Sequence, residues 1–290
     1  MESKFDEFNK ANNELKEFIN LGLFGEEAKE LVNKFKNMDH TEYYGECLDS
    51  WLESDQYYKD ETKYYIEAFF MIFLDAYEKD SERLLNELLW FIEGNRDENR
   101  DENRVENVTA YKEYLTNYNM CWNEIEELIE QDKNKIVVKK VSNLIINNYS
   151  KGVEFISRIY SLLIIVFCII DKKKVDIENI NKKTLYQKCN CIKKRRNKYC
   201  DLIIDCIDRN IRNSEVHLNA TYDFDKKAYI FRITKNGKFK NCEISYEYMI
   251  FNIYPKVGGC IKGFMSAIDL IIIIINDMNK GMEYISKIFN

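Results

Sequence analysis

The chain has 290 residues, 46% hydrophobic and 32% charged, which excludes a disordered or collagen-like polymer and leaves room for one large or two ordinary domains. One proline and ten glycines punctuate it, so long helices are expected rather than many short strands. The net charge of −6 conceals a division: residues 1–135 hold 16 Lys and Arg against 34 Asp and Glu, whereas residues 136–290 hold 27 against 15. An acidic helical N-terminal region, 1–135, and a basic domain, 136–290, are therefore expected, and the basic half can offer a positive surface despite the negative total.

The nine cysteines are odd in number and follow no framework, and Met1 to Phe5 begin the chain without an apolar leader core. Reduced thiols and a cytoplasmic location are expected. Tyr160 to Ile170 and Ile268 to Ile275 are apolar, but each run is shorter than the roughly 20 residues of a spanning helix. Both read as buried helices, with no membrane as partner.

In chain order, Leu15, Phe18, Ile19 and Leu23, then Leu31, Val32 and Phe35, recur at helical spacing. His40 falls between helices in Asn37-Met-Asp-His-Thr, where a capping or surface role is expected. Ala68 to Leu74 is a dense apolar stretch, and Leu84, Leu85, Leu88, Leu89 and Phe91 form another helical face. Arg96 to Asn107 repeats the unit RDEN with one substitution, and its interleaved charges suit a solvated helix or a surface loop. Tyr111 to Ile129 resumes helical spacing.

The basic half opens with Val137 to Ile146 and Val153 to Ile170, read as two helices or as one broken near Ser150-Lys-Gly152. Ile180 to Ile211 reads as a further helical region. After His217 the period changes to two. Thr221 to Phe224, Ala228 to Ile233 and Phe239 to Ile244 predict a three-stranded antiparallel insert near 220–245, with Asn236-Gly237 as its hairpin turn. A closing helix is expected from about Lys262 to Ile288, separated from the strands by Pro255 and Gly258-Gly259. The fold class is thus mainly α, a helical bundle with a small β insert.

The chemistry centres on His217, one of two histidines. On a helix, Asn213 and His217 stand four apart on one face, so the amide can orient the imidazole. Arg212 precedes them and can give two parallel donors to a phosphate. Cleavage of RNA needs a proton removed from the 2′-hydroxyl and one delivered to the leaving 5′-oxygen, and an imidazole with pKa about 6.5 can serve either step. Arg212 can stabilise charge on the phosphoryl oxygens without a metal. The alternative for the same residues is an Asp208–Arg212 surface ion pair with His217 as a cap.

Residues 172–198 contain eleven Lys and Arg against Asp176 and Glu178. Within them Lys193, Lys194, Arg195, Arg196 and Lys198 lead into the motif and are candidate RNA-binding residues. Tyr186 and Tyr199 are candidates for stacking on bases, with core packing the alternative for Tyr199. Cys189, Cys191, Cys200 and Cys206 lack the paired spacing of zinc knuckles, so no metal is assigned.

The stretch Ile211-Arg-Asn-Ser-Glu-Val-His217 resembles the signature of the HEPN superfamily of ribonucleases, an arginine followed by a polar residue with a histidine about four to six positions on. The resemblance extends over roughly residues 136–290. It implies a helical bundle that pairs with a second copy, so that two arginine–histidine sets share one composite cleft. It also implies a metal-independent, cofactor-free endoribonuclease acting on tRNA or mRNA in a toxin, abortive-infection or antiviral-defence setting. Cleavage would leave a 2′,3′-cyclic phosphate or a 3′-phosphate. The acidic half would then sense a trigger, bind a regulatory protein or mask the basic face. The competing expectations are a non-catalytic helical module that binds RNA or protein, and a purely structural interaction protein.

Overall fold

The computed structural model describes residues 29–30, 33, 38–53, 59–93, 107, 110–111, 113–118, 121, 135–208, 220–235 and 238–289. In chain order these form α1 (His40–Glu53), α2 (Lys59–Lys79), α3 (Ser81–Glu93), helical residues at 113–118, and α4 (Lys135–Ile170). Three short helices follow: α5 (Ile177–Asn181), α6 (Leu185–Lys193) and α7 (Lys198–Asp205). Then come β1 (Ala220–Asp223), β2 (Ala228–Lys235) and β3 (Lys238–Ser245). Helix α8 (Tyr246–Tyr248) runs through a π turn at Met249–Ile253 into α9 (Tyr254–Asn276), and α10 (Met278–Phe289) closes the chain. The fold is a mainly α-helical bundle with a small three-stranded antiparallel sheet, as its sequence pattern predicts.

Helix α9 is the axis of the core. Phe264 on it receives the ring edges of Phe69 at 5.3 Å and Phe91 at 5.1 Å between centroids, so side chains from the acidic and basic halves share one apolar cluster. Gly263 brings α2 close: a Cβ there would lie 3.0 Å from the backbone nitrogen of Ile66. Asp39 and Asp80 accept the Glu42 and Arg83 backbone N–H groups and so start α1 and α3. His40 is therefore the first helical residue of α1, with Asp39 in the capping position.

Helix α4 is one unbroken element of 36 residues, not two. Gly152 within it is a packing position rather than a break. A Cβ there would lie 2.5 Å from Val257 Cγ1 and 3.2 Å from the ring of Tyr114. The helices at 138–170 and 246–276 are long and apolar enough, by length and composition, to cross a membrane. However, 72% and 89% of their most apolar windows are covered by the rest of the chain. Each helix extends beyond the apolar run read from the sequence, through polar and charged residues such as Arg158 and Lys262.

The expected helical region 180–211 is divided into α5, α6 and α7. Thr184 starts α6 with a full capping box, its hydroxyl accepting from Gln187 N–H while Gln187 Oε1 accepts from Thr184 N–H. Asn197 caps α7 by a single bond, its Oδ1 accepting from Tyr199 N–H at 2.9 Å. Arg196, with φ of 51°, makes the turn between them.

In the meander, Ala220 pairs with Phe231 and Phe231 with Cys242, while Lys235 pairs with Lys238. That last register leaves only Asn236 and Gly237 to join β2 and β3, the expected hairpin connection, though these two lie outside the described residues. Tyr229, Phe231 and Ile244 are buried, which is the period of two expressed as one inward face.

The closing helix begins earlier than expected. Pro255 follows the π turn in a helical path that is continuous from Tyr246, so it does not separate α9 from the strands, and Gly258 and Gly259 lie inside the helix against Tyr114 and Tyr65. The interruption comes instead at Asp277, which accepts from Asn279 and Lys280 N–H and starts α10. The expected helices near residues 15–35, most of the RDEN repeat and most of 111–129 lie outside the described residues.

Candidate nucleic-acid interface

Arg212, Asn213 and His217 lie outside the described residues, as does the whole stretch 209–219. Its two flanks, Asp208 and Ala220, are described. On the near side α7 ends at Asp205, and the charge of Asp208 acts on Cys242 in β3. Partial burial first, and then the Asp208 charge, push the Cys242 thiol up. On the far side Ala220 pairs with Phe231, whose other neighbour is the same Cys242. The chain therefore enters the sheet at Ala220, in the row that holds Cys242.

The basic region is built from the C-terminal ends of two helices. Helix α4 ends in a Schellman motif, with Lys173 N–H donating to Cys168 O at 2.8 Å and Lys172 N–H to Ile169 O at 2.9 Å. Lys172 takes the left-handed position of that motif, with φ of 55°. Helix α6 ends at Lys193 and turns through Lys194, Arg195 and Arg196.

Arg195 joins the two ends. Its Nη1 donates to Asp171 Oδ1 at 2.7 Å, its Nη2 donates to Phe167 O at 2.8 Å, and its guanidinium carbon lies 4.4 Å from the Phe167 ring centre. The Arg195 and Lys173 hydrogen bonds hold the Asp171 carboxyl below its usual range. Thus Arg195, one of five basic residues expected to bind RNA, directs its charge into its own fold. Lys193, Lys194 and Arg196 are exposed and, among the described residues, make no ion pair. Lys198 is exposed, with its ammonium 3.9 Å from Glu67 and over the Tyr199 ring at 4.6 Å.

The structure also separates the two candidate tyrosines. Tyr199 donates to Glu67 at 2.9 Å and packs partly into the core, whereas Tyr186 is 54% exposed on α6. Lys188 is only 4% exposed and donates to Ser157 O and Oγ at 3.1 and 3.0 Å. The sequence signal for its inward direction was its place among Leu185, Cys189 and Ile192 on the apolar face of α6. Exposed Lys172 and Lys174 complete the basic edge, again without an ion pair among the described residues.

The cysteines of this region are packing groups. Cys189, Cys200 and Cys206 are buried, and Tyr160 lies between Ile203 O at 2.9 Å and Cys206 Sγ at 3.5 Å. Burial pushes the Cys200 thiol up to about 11, away from the thiolate form that a metal needs. Among the described residues no group of three His, Cys, Asp or Glu side chains could hold a metal ion.

On the other side of α4 a cavity of about 100 Å³ is lined by Trp90, Phe91, Leu162 and Ile165 with Glu87 and Arg158. Comparison with family models, with curated proteins and with solved structures returns no match to this chain.

Proposed function

We propose that the chain is a metal-independent endoribonuclease of the HEPN type, cleaving RNA by attack of the 2′-hydroxyl on the adjacent phosphorus. In this reading Arg212 grips the phosphate and neutralises charge developing on its oxygens. His217 moves the proton, and Asn213 orients the imidazole. The observation that carries it is the exposed cationic edge of Lys172, Lys174, Lys193, Lys194 and Arg196, which suits a polyanion. The stretch holding Arg212 to His217 lies in sequence between α7 and β1, one short helix beyond that edge.

Two further observations support the reading. The N-terminal end of α7, about 12 Å from its other end along an eight-residue helix, carries the exposed cations of the 193–198 turn. Large apolar side chains are exposed on the C-terminal elements, among them Phe251 at 67%, Met278 at 61% and Met282 at 53%. They suit pairing with a second copy into a homodimer with a composite cleft. A cytoplasmic effector of microbial defence or toxicity, acting on tRNA or mRNA and controlled by a protein partner, is the setting that the resemblance implies.

The test is cleavage of total RNA by the purified full chain, with and without chelator, beside Arg212→Ala and His217→Ala. Each substitution is expected to lower the rate by at least about a hundredfold, with chelator without effect and 2′,3′-cyclic phosphate ends on the products. Equal activity or equal cellular effect in wild type and His217→Ala would sink the enzymatic reading in favour of a non-catalytic RNA- or protein-binding module.

A further inference from the structure

We infer that the outer face of α6, with the α4–α5 connection pinned beside it, is a docking ridge for unpaired RNA in which Tyr186 is the base-stacking platform. This rests on the ribonuclease reading, whose substrate class it narrows from RNA in general to single-stranded segments.

The ridge follows from helix geometry. Tyr186, Asn190 and Lys193 stand four and seven positions along α6 and so share a face, with Lys194 beside them. The opposite face buries Lys188, Cys189 and Ile192, which fixes the rotation of the helix and leaves Tyr186 no apolar surface of its own to cover. The Arg195 bonds to Asp171 and Phe167 then bring the α4–α5 connection against the end of α6. Lys172 and Lys174 thereby join Lys193, Lys194 and Arg196 in one cationic edge.

Charge and shape together select the ligand. Two helix C-termini contribute about half a negative charge each, far less than the five cations gathered there. The excess suits a polyanion. An A-form duplex keeps its bases stacked and out of reach, so an exposed tyrosine amid phosphate-binding cations gains energy only from a strand whose bases are free. Nine residues of α6 span about 13 Å, the length of three or four stacked nucleotides at about 3.4 Å each.

The test is fluorescence anisotropy with a labelled 2′-O-methyl strand of about twelve nucleotides, which binds as RNA but lacks the attacking hydroxyl, so the full-length wild-type chain can be used. The same strand annealed to its complement is the duplex control. The single strand is expected to bind more tightly than the duplex. Lys193→Ala with Lys194→Ala should weaken binding about tenfold and reduce the salt slope by about 1.4. Tyr186→Ala should weaken it roughly five- to a hundredfold at unchanged salt slope, and Tyr186→Phe should restore it. Thermal midpoints of the variants confirm that each is folded.

Failure to bind the strand at about 50 mM salt, equal or tighter binding of the duplex, or unchanged affinity in Tyr186→Ala overturns the ridge. A protein ligand in its place would show as no RNA binding at all. The two readings fail separately. Cleavage of ordinary RNA with wild-type efficiency by the ridge variants removes the ridge and leaves the nuclease. Strand binding as described, with no cleavage, removes the nuclease and leaves the ridge.

Discussion

Arg195 and Asp171, 24 positions apart in sequence, form a 2.7 Å ion pair that locks the end of α6 to the end of α4. Because the second guanidinium nitrogen is spent on Phe167 O and the plane lies over the Phe167 ring, the contact needs the planar fork of arginine. Arg195→Lys is expected to cost about 1–2 kcal/mol of stability, measured by chemical denaturation. The pair also carries a pH dependence. The folded Asp171 carboxyl lies below its unfolded value of about 3.9, so its contribution is present above that value and is lost as pH falls through the folded one. Asp171→Asn should therefore be less stable than wild type at pH about 7, and the gap should narrow as pH falls below about 3.9. A gap that persists unchanged in acid would contradict this origin.

Lys172 holds the left-handed position of the α4 terminus without being glycine. An L-residue there costs about 1–2 kcal/mol, partly offset because glycine loses roughly 0.5–1 kcal/mol more entropy on folding. Lys172→Gly is thus expected to stabilise the chain by roughly 0.5–1 kcal/mol in urea denaturation. The same substitution removes a cation from the proposed ridge, so RNA affinity should fall while stability rises.

The opposite sign is expected where glycine permits a close approach. At Gly263 an added methyl would meet the backbone of Tyr65 and Ile66, neither of which is the far end of a flexible side chain. Gly263→Ala should destabilise by about 1–3 kcal/mol and lower the thermal midpoint. An unchanged midpoint would mean that α2 and α9 are not packed this closely.

Asp269 is 5% exposed in the middle of α9, near Tyr43, Cys47 and Tyr111, whose own ionisation it opposes. Burial pushes its carboxyl well above the ordinary range. For a raised acid, stability is greatest below the unfolded value of about 3.9 and declines as pH rises towards the folded one, because the unfolded chain ionises first. Asp269→Asn removes that decline. Variant and wild type should unfold alike near pH about 4, with the variant the more stable at pH about 8. A wild type that gains stability over the same interval would show Asp269 to be ionised and paired in the fold.

The sequence by itself determined whatever depends on local periodicity. Period four along 68–91 and 137–170 made helices, and period two after residue 220 made three strands in register around Asn236-Gly237. The candidate chemistry was legible there too, as an arginine, an amide and an imidazole between a helix and a strand. Only tertiary structure decided the directions of the charged and breaking residues. Pro255 and Gly152 read as interruptions because local rules assign them that cost. Inside the bundle Pro255 follows a π turn within a continuous helical path, and Gly152 admits Val257. The run Lys193 to Lys198 reads as one uniform patch because charge alone carries no direction. Packing of α6 against α4 turned Arg195 and Lys188 inward and left Tyr186 facing out. Long-range contact supplies the free energy that orients such side chains, and no short window of sequence contains it.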